Sequence, residues 1–108
     1  MNIFKERRYK KENAFKTRIF ETYDKKVSYI LSVVSSCRTY DQLYFVEDWA
    51  YGLGNVWHRF ELHNSPSAKL DKFVTAYFND AAESIYQNVK KQINEIAKIE
   101  LETRDGWQ

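Results

Sequence analysis

Two histidines and one cysteine are the residues of this chain whose chemistry could support catalysis or metal binding. His58, Glu61 and His63 lie close together, but separations of three and five residues do not place two imidazoles on one helix face, as the four-residue spacing of His-Glu-x-x-His does. Cys37 has no obvious base beside it, so we interpret it as a small residue packed at a helix end. We therefore expect no metal site, no cofactor and no enzymatic activity.

A run of cations near the start of the chain is the second group that could do chemistry. Seven of the fourteen residues from Lys5 to Arg18 are basic. Such cations could neutralise nucleic-acid phosphates, with Phe4, Tyr9 and Phe15 as stacking partners. The alternatives are a solvated helix whose charges are offset elsewhere in the fold, and a basic amphipathic helix on an anionic membrane. The candidate nucleic-acid-binding residues are Lys5, Arg7, Arg8, Lys10, Lys11, Lys16 and Arg18.

The charge of the chain is small in total but unevenly distributed. The formal net charge is +2, yet residues 1–38 hold ten basic and four acidic residues, whereas residues 39–108 hold seven basic and eleven acidic residues. This asymmetry indicates either a basic arm for nucleic acid or an attraction between helices within the fold. A single cysteine, no secretory pattern and no apolar run near the roughly 20 residues that cross a bilayer predict a cytoplasmic protein without a transmembrane segment.

The elements that position these residues are expected to be helices. A chain of 108 residues with 44% hydrophobic residues, three glycines and one proline should fold as a single all-α domain spanning residues 1–108. We predict a three-helix bundle, or helical hairpin, with long first and third helices. The first helix, at about 4–37, is indicated by apolar residues at spacings of three and four: Phe20, Tyr23, Val27, Ile30, Val34 and Cys37.

The second helix is predicted at about 40–62. Thr39 and Gln42 have the spacing of a capping box, and Gly52 and Gly54 weaken the helix interior, which favours a kink there. The apolar stripe, which we expect to be buried, consists of Leu43, Val46, Ala50, Leu53, Trp57 and Phe60, widened by Trp49 and Val56.

The third helix is predicted at about 66–104. Ser65 precedes a proline and could cap a helix that opens with Pro66. A break near Asn79-Asp80 stays open, because Asp80 could cap a shorter helix. The unequal helix lengths suggest that helices one and three pair beyond helix two, and a homodimer would cover the apolar surface exposed there.

Aromatic residues are unusually frequent, at 17% of the chain. A bundle this small cannot bury eighteen rings, and Tyr, Trp and Arg are enriched at protein interfaces. The alternative is that Tyr44 and Trp49 cover a groove between helices of one monomer. The predicted protein-interface residues are Arg38, Tyr40, Asp41, Tyr44, Trp49 and Tyr51.

The segment from Ser35 to Leu43, with Trp49 six residues later, resembles a Ser-Cys-x-Thr-x-x-Gln-Leu pattern of short bacteriophage-encoded open reading frames of unknown function. The resemblance implies an accessory, virion-associated or host-directed small protein in the host cell cytoplasm, and it assigns no role to any residue. The sequence favours a non-enzymatic protein that acts by protein–protein contact, with nucleic-acid binding through the first helix as the alternative.

Overall fold

Three α-helices make up the protein. The computed structural model describes the backbone of residues 3–105 and the side chains of residues 6–103. The helices are α1 (Ile3–Ser36), α2 (Tyr40–Asn64) and α3 (Ala68–Asp105), and the described residues contain no strand. The prediction of an all-α bundle with long first and third helices is confirmed. The side chains of Phe4 and Lys5, two predicted nucleic-acid contacts, lie outside the described residues.

The turn between α1 and α2 is built around Thr39, as predicted. The Thr39 hydroxyl accepts a hydrogen bond from the Gln42 amide at 3.2 Å. The side-chain oxygen of Gln42 accepts from the backbone amide of Arg38 at 2.9 Å, one residue earlier than a standard capping box requires. The Gln42 side chain therefore bonds to Arg38 in the α1–α2 connection and not to the cap residue Thr39.

The turn between α2 and α3 is shifted by two residues from the prediction. Ser65 ends α2 in an extended conformation, as expected of a residue before proline, and its amide donates to the Leu62 carbonyl. Ser67, not Ser65, caps α3, because its hydroxyl accepts from the Leu70 amide at 3.3 Å and its carbonyl accepts from the Asp71 amide. The Ser65 hydroxyl instead donates to the Ser67 carbonyl.

α2 and α3 are each one continuous helix, including at the positions where the sequence suggested a kink in α2 and a break in α3. α2 runs through Gly52 and Gly54, and α3 runs through Asn79 and Asp80 without a break. α3 keeps one face buried along most of its length, which offsets the weak local signals for a stop. Its most buried residues are Leu70, Val74, Ile85, Val89 and Ile96. Among the described helices, none has a stretch apolar and long enough to cross a bilayer.

The core consists of two clusters at successive levels of the bundle. The lower cluster joins Ile19, Tyr23, Trp57 and Val74. The upper cluster, next to the α1–α2 turn, contains Ile30, Val34, Cys37, Leu43, Ala50, Ile85, Val89 and Ile96. α3 packs extensively on both other helices, whereas α1 and α2 contact each other much less. α3 is therefore the element on which the other two helices are assembled.

The molecule is a rod of 78 × 20 × 15 Å whose two ends differ in charge. Gln92 donates to the Cys37 carbonyl at 2.7 Å, which places the α1–α2 turn beside this part of α3, so the last turns of α3 extend past it. At the opposite end, Pro66 and Ser67 lie beside the first turns of α1. α1 and α3 run parallel because two short turns connect the three helices. The start of α1 and the end of α3 lie at opposite ends of the rod. The suggestion that α1 and α3 pair with each other beyond α2 was therefore wrong.

Candidate functional site

The six predicted interface residues do not share one surface. Tyr40 and Tyr44 stack with ring centroids 6.3 Å apart. Trp49 lies on the other side of α2, where its ring meets Tyr29 of α1 edge-on at 6.1 Å. The separation follows from helix geometry, since five residues turn an α-helix by about 140° beyond one full turn. Arg38 and Asp41 are exposed at the α1–α2 turn, and Tyr51 is half-buried.

Tyr51 has charged and polar neighbours on two helices. Burial raises the pKa of its hydroxyl, and the charges of Glu47 on α2 and of Tyr86 and Glu83 on α3 raise it further. Tyr51 therefore lies on the side of α2 that faces α3. The alternative interpretation, in which Tyr44 and Trp49 cover a groove within one monomer, fits Trp49 but not Tyr44, which is 52% exposed; Tyr51 is a second ring that lies between helices.

A different group of residues forms a larger exposed apolar surface. Phe45, Val56 and Phe60 are 75%, 67% and 58% exposed, and Leu53 is also exposed. With the half-buried Trp49 they recur at spacings of four, four, three and four, which is one face of α2. Tyr29 of α1 is exposed beside Trp49. We call this surface the α2 apolar face, and its exposed members are Tyr29, Phe45, Leu53, Val56 and Phe60.

The expectation that Leu53, Val56 and Phe60 belong to the core was wrong. α2 carries two adjacent apolar stripes, and α1 and α3 cover one of them, which includes Leu43, Ala50 and Trp57. The sequence did contain a sign of this exposure, because the apolar residues of α2 cover more of its circumference than two neighbouring helices can bury. Phe20 of α1 was likewise assigned to the core but is exposed, with its ring edge-on to Tyr77 at 6.1 Å.

An ion pair with a buried carboxylate connects α1 to α2. The two guanidinium nitrogens of Arg18 donate to the two carboxylate oxygens of Glu61 at 3.0 and 2.6 Å. The Glu61 side chain is 2% exposed and the Arg18 side chain 47% exposed. The hydrogen bond to Glu61 raises the pKa of Arg18. Because Arg18 is partly solvated, loss of the pair should cost less than the about 3–5 kcal/mol typical of fully buried pairs.

The charge of Glu61 also affects Tyr23. The ring of Tyr23 lies over that of Trp57, with centroids 3.7 Å apart, in the lower cluster. Burial and, second, the negative charge of Glu61 raise the pKa of the Tyr23 hydroxyl well above its ordinary value. Tyr23 is therefore neutral at neutral pH and stays protonated further into the alkaline range than an ordinary tyrosine.

The basic stretch is divided by the structure into exposed cations and cations with internal contacts. Arg18 is bound by Glu61 and lies 5.3 Å from the Phe15 ring centre, and the Lys16 ammonium lies 5.5 Å from that of Phe73. Four cations near the start of α1 are exposed, together with the ring of Tyr9. These four residues, which we call the basic end, are Arg7, Arg8, Lys10 and Lys11. Arg8 has an exposed contact with Glu12 at 3.5 Å.

His58 and Cys37 have structural contacts, whereas His63 is exposed at the end of α2. His58 shares a hydrogen bond with the Thr75 hydroxyl at 3.1 Å and stacks on Phe78, with centroids 4.5 Å apart. Cys37 is buried, its thiol donates to the Val33 carbonyl at 3.4 Å, and burial raises its pKa, which disfavours the nucleophilic thiolate. Within the described part of the chain, no three His, Cys, Asp or Glu side chains are grouped as a metal site requires.

A pocket of about 160 Å³ separates the two core clusters. All three helices line it, and its lining is almost entirely apolar. Trp57 is one of the lining residues, and its buried indole Nε1–H has no hydrogen-bond partner among the described residues. An unsatisfied buried donor costs about 1–3 kcal/mol. No residue of this pocket was recognised from the sequence as a ligand contact.

Comparisons with protein-family models, curated proteins and solved structures find no match for this chain. The bacteriophage resemblance of residues 35–43 therefore stays a prediction. A function for the protein has to follow from its surfaces, its pocket and its charges.

The raised pKa of Tyr23 predicts a loss of stability in alkali. Up to pH about 10, the ordinary tyrosine pKa, Tyr23 is neutral in both the folded and the unfolded chain. Its contribution to the free energy of unfolding is then fully present. At higher pH the unfolded chain loses this proton first, so the free energy of unfolding should fall. Tyr23→Phe should reduce that fall, while Tyr51 and Cys37 still contribute to it.

Urea unfolding from neutral pH to about pH 11 measures this dependence. Tyr44→Phe is the matched control, because it makes the same change at an exposed position outside the α2 apolar face. Its alkaline slope should be steeper than that of Tyr23→Phe. Equal slopes for Tyr23→Phe and Tyr44→Phe would contradict the assignment of the effect to Tyr23.

Proposed function

We propose that this chain is a non-enzymatic binding protein that acts through protein–protein contact, and that the α2 apolar face binds a second copy of the chain. The observation that carries the proposal is the continuous row of exposed rings and aliphatic side chains along α2. Contiguous exposed apolar surface on a small protein is typical of an interaction site. Aromatic side chains such as Phe45, Phe60 and Tyr29 are the type enriched in the buried centre of interfaces.

The dimensions of the molecule suit such a contact. A stable interface buries roughly 800 Å² on each partner. A rod 78 Å long and 20 Å wide offers a side larger than this area. Two copies related by a two-fold axis would each contribute the same face, so the exposed apolar row of one copy would be covered by that of the other.

The charges at the two ends of the rod support a second copy as the occupant. The basic end lies at one end, and Glu100 and Glu102 lie near the other, on the last turns of α3, where Glu95 is paired with Lys98. A two-fold axis perpendicular to the rod places the basic end of each copy beside the acidic end of its partner. Each end also carries one exposed apolar side chain, Tyr9 or Leu101, which this arrangement would bring close together.

The cellular role consistent with this proposal is that of an accessory protein that assembles or inhibits by contact. The resemblance of residues 35–43 to bacteriophage reading frames favours a phage assembly or host-directed role in the host cytoplasm. A dimer would leave the stacked rings of Tyr40 and Tyr44 on the α3 side of α2 uncovered, as a surface for a further protein partner.

Charge introduced into the α2 apolar face should prevent self-association. Val56→Glu places a carboxylate at a position that is 67% exposed in the single chain, so it should leave the fold intact while it makes the dimer interface unfavourable. The expected result is a dimer for the wild-type protein and a weakening of dimerisation by at least about 100-fold for Val56→Glu. Sedimentation velocity over a range of protein concentrations measures both.

Tyr44→Glu is the control, because it introduces the same charge at an exposed position on the other side of α2. Its dimer affinity should match that of the wild-type protein. A wild-type chain that stays monomeric at high concentration would contradict the proposal. Loss of the dimer in Tyr44→Glu but not in Val56→Glu would also contradict it, and would indicate that the copies bind through the side of α2 that carries Tyr40 and Tyr44.

The basic end supports nucleic-acid binding as a second candidate function. Arg7, Arg8, Lys10 and Lys11 are exposed around the exposed ring of Tyr9, as a phosphate-binding surface with a stacking residue requires. Lys16 and Arg18, which the sequence analysis included, are engaged with Phe73 and Glu61. The candidate surface is therefore smaller than the sequence suggested.

Replacement of the four residues of the basic end by Glu tests this function. If the chain binds nucleic acid there, the wild-type protein should bind a short DNA, with an affinity that falls steeply as salt rises, and the variant should not bind. Fluorescence anisotropy at two salt concentrations measures both. The control carries the same number of Glu substitutions at exposed positions farther along the rod, Lys25 and Lys26 of α1 and Lys90 and Lys91 of α3. Equal loss of binding in the two variants would indicate nonspecific charge attraction.

A further inference from the structure

We infer that two exposed charges at the edge of the α2 apolar face, Asp48 and Arg59, set the register in which two copies of the chain dock. Asp48 of each copy lies beside Arg59 of the partner subunit, so the dimer contains this ion pair twice. The inference rests on the proposed function, because it specifies how the α2 apolar face of one copy meets that of the other.

The charged ends of the rod fix the level of the two-fold axis. α1 runs from the basic end to Cys37, which lies beside Gln92 of α3, and α3 continues from there to Glu100. An axis that brings the basic end beside Glu100 of the partner subunit must pass midway between these two groups. At a rise of about 1.5 Å per residue, that level lies between Tyr23 and Tyr29 of α1.

The same level crosses α2 at the middle of its apolar face. Tyr23 contacts Trp57, and Tyr29 contacts Trp49. The axis therefore passes α2 between Trp49 and Trp57, beside Gly52. Because the axis is perpendicular to the rod, the two copies of α2 run antiparallel, and side chains at equal distances on either side of the axis meet across it.

The apolar residues of the face are arranged evenly about this level. Phe45 and Phe60 lie at nearly equal distances on either side of it, so Phe45 meets the partner's Phe60. Trp49 and Val56 are related in the same way. Gly52 is exposed at the axis itself, and a Cβ atom there would have no neighbouring atom within 4 Å in the single chain. The absence of a side chain at Gly52 lets the two helix backbones approach closely.

Asp48 and Arg59 are complementary under this axis. They are eleven residues apart, which is close to three full turns, so both lie along one edge of the face. Both are exposed, and neither has an ion-pair partner among the described residues. They lie on opposite sides of the axis at similar distances from it. The axis keeps this edge of both copies on the same side of the dimer, so each carboxylate lies beside the partner's guanidinium.

The two charges cannot pair within one chain. Eleven residues correspond to about 16 Å along α2, which is farther than the two side chains can bridge. An ion pair between Asp48 and Arg59 therefore forms only between copies, and its effect on dimerisation can be measured separately from the fold.

Charge exchange at these two positions tests the inference. Asp48→Arg or Arg59→Asp alone replaces two attractive contacts of the dimer by two repulsive ones, so each variant should self-associate roughly tenfold more weakly than the wild-type protein at low salt. In an equimolar mixture of the two variants, both contacts of a mixed dimer again join unlike charges. Mixed dimers should therefore predominate, with the affinity of the wild-type dimer. Sedimentation velocity measures the affinities, and native mass spectrometry with one variant ¹⁵N-labelled measures the share of mixed dimers.

Asp80→Arg and Lys91→Asp are the matched controls, because they make equal changes of charge at two exposed positions of α3 that are also eleven residues apart. Each control variant should dimerise like the wild-type protein, and their mixture should show no comparable excess of mixed dimers. If the wild-type chain dimerises but the Asp48 and Arg59 variants behave like these controls, the inferred register is overturned and the proposed function stands. A wild-type chain that does not dimerise would overturn both.

Discussion

The ion pair between Arg18 and Glu61 is the interaction on which the arrangement of α1 and α2 depends. α1 and α2 pack less closely against each other than either does against α3, and the carboxylate of their ion pair is almost completely removed from water. A buried carboxylate requires a partner that satisfies both oxygens, and the guanidinium provides two hydrogen bonds in a fixed geometry. In the register that contains this pair, Tyr23 lies over Trp57 and Tyr29 meets Trp49. Tyr23 and Trp57 line the pocket, and Tyr29 and Trp49 lie at the α2 apolar face.

The uncovered surface is a consequence of how many neighbours each helix has. α3 packs against both other helices, but α2 has apolar residues on more of its circumference than α1 and α3 can cover. The surplus, which includes Phe45 and Val56, remains exposed in the single chain. Dimerisation across this face would bury the surplus, and the opposite charges at the two ends of the rod would set the relative orientation of the copies.

Much of the fold follows from local signals, whereas the site depends on long-range contacts. The spacing of Ile30 and Val34 and the hydroxyl of Thr39 are sufficient to place α1 and the start of α2, because periodicity and capping act over a few residues. The role of Arg18 was not predictable, because its partner is 43 residues away. Arg18 was assigned to nucleic-acid binding, since nothing in its neighbourhood distinguishes a cation that pairs internally from one that is free. Which apolar residues of α2 are exposed likewise depends on where the other helices lie.

The central claim is that two copies dock with their opposite ends together, and zero-length cross-linking of carboxylates to amines tests it most directly. Lys10 and Lys11 lie at one end of a 78 Å rod and Glu100 and Glu102 near the other, so no single folded chain can join them. The account predicts cross-links between these two groups in the dimer, identified by mass spectrometry on mixed ¹⁴N- and ¹⁵N-labelled protein. Cross-links between chains that join Lys10 or Lys11 only to Glu6 or Glu12, or a complete absence of links between chains, would contradict it.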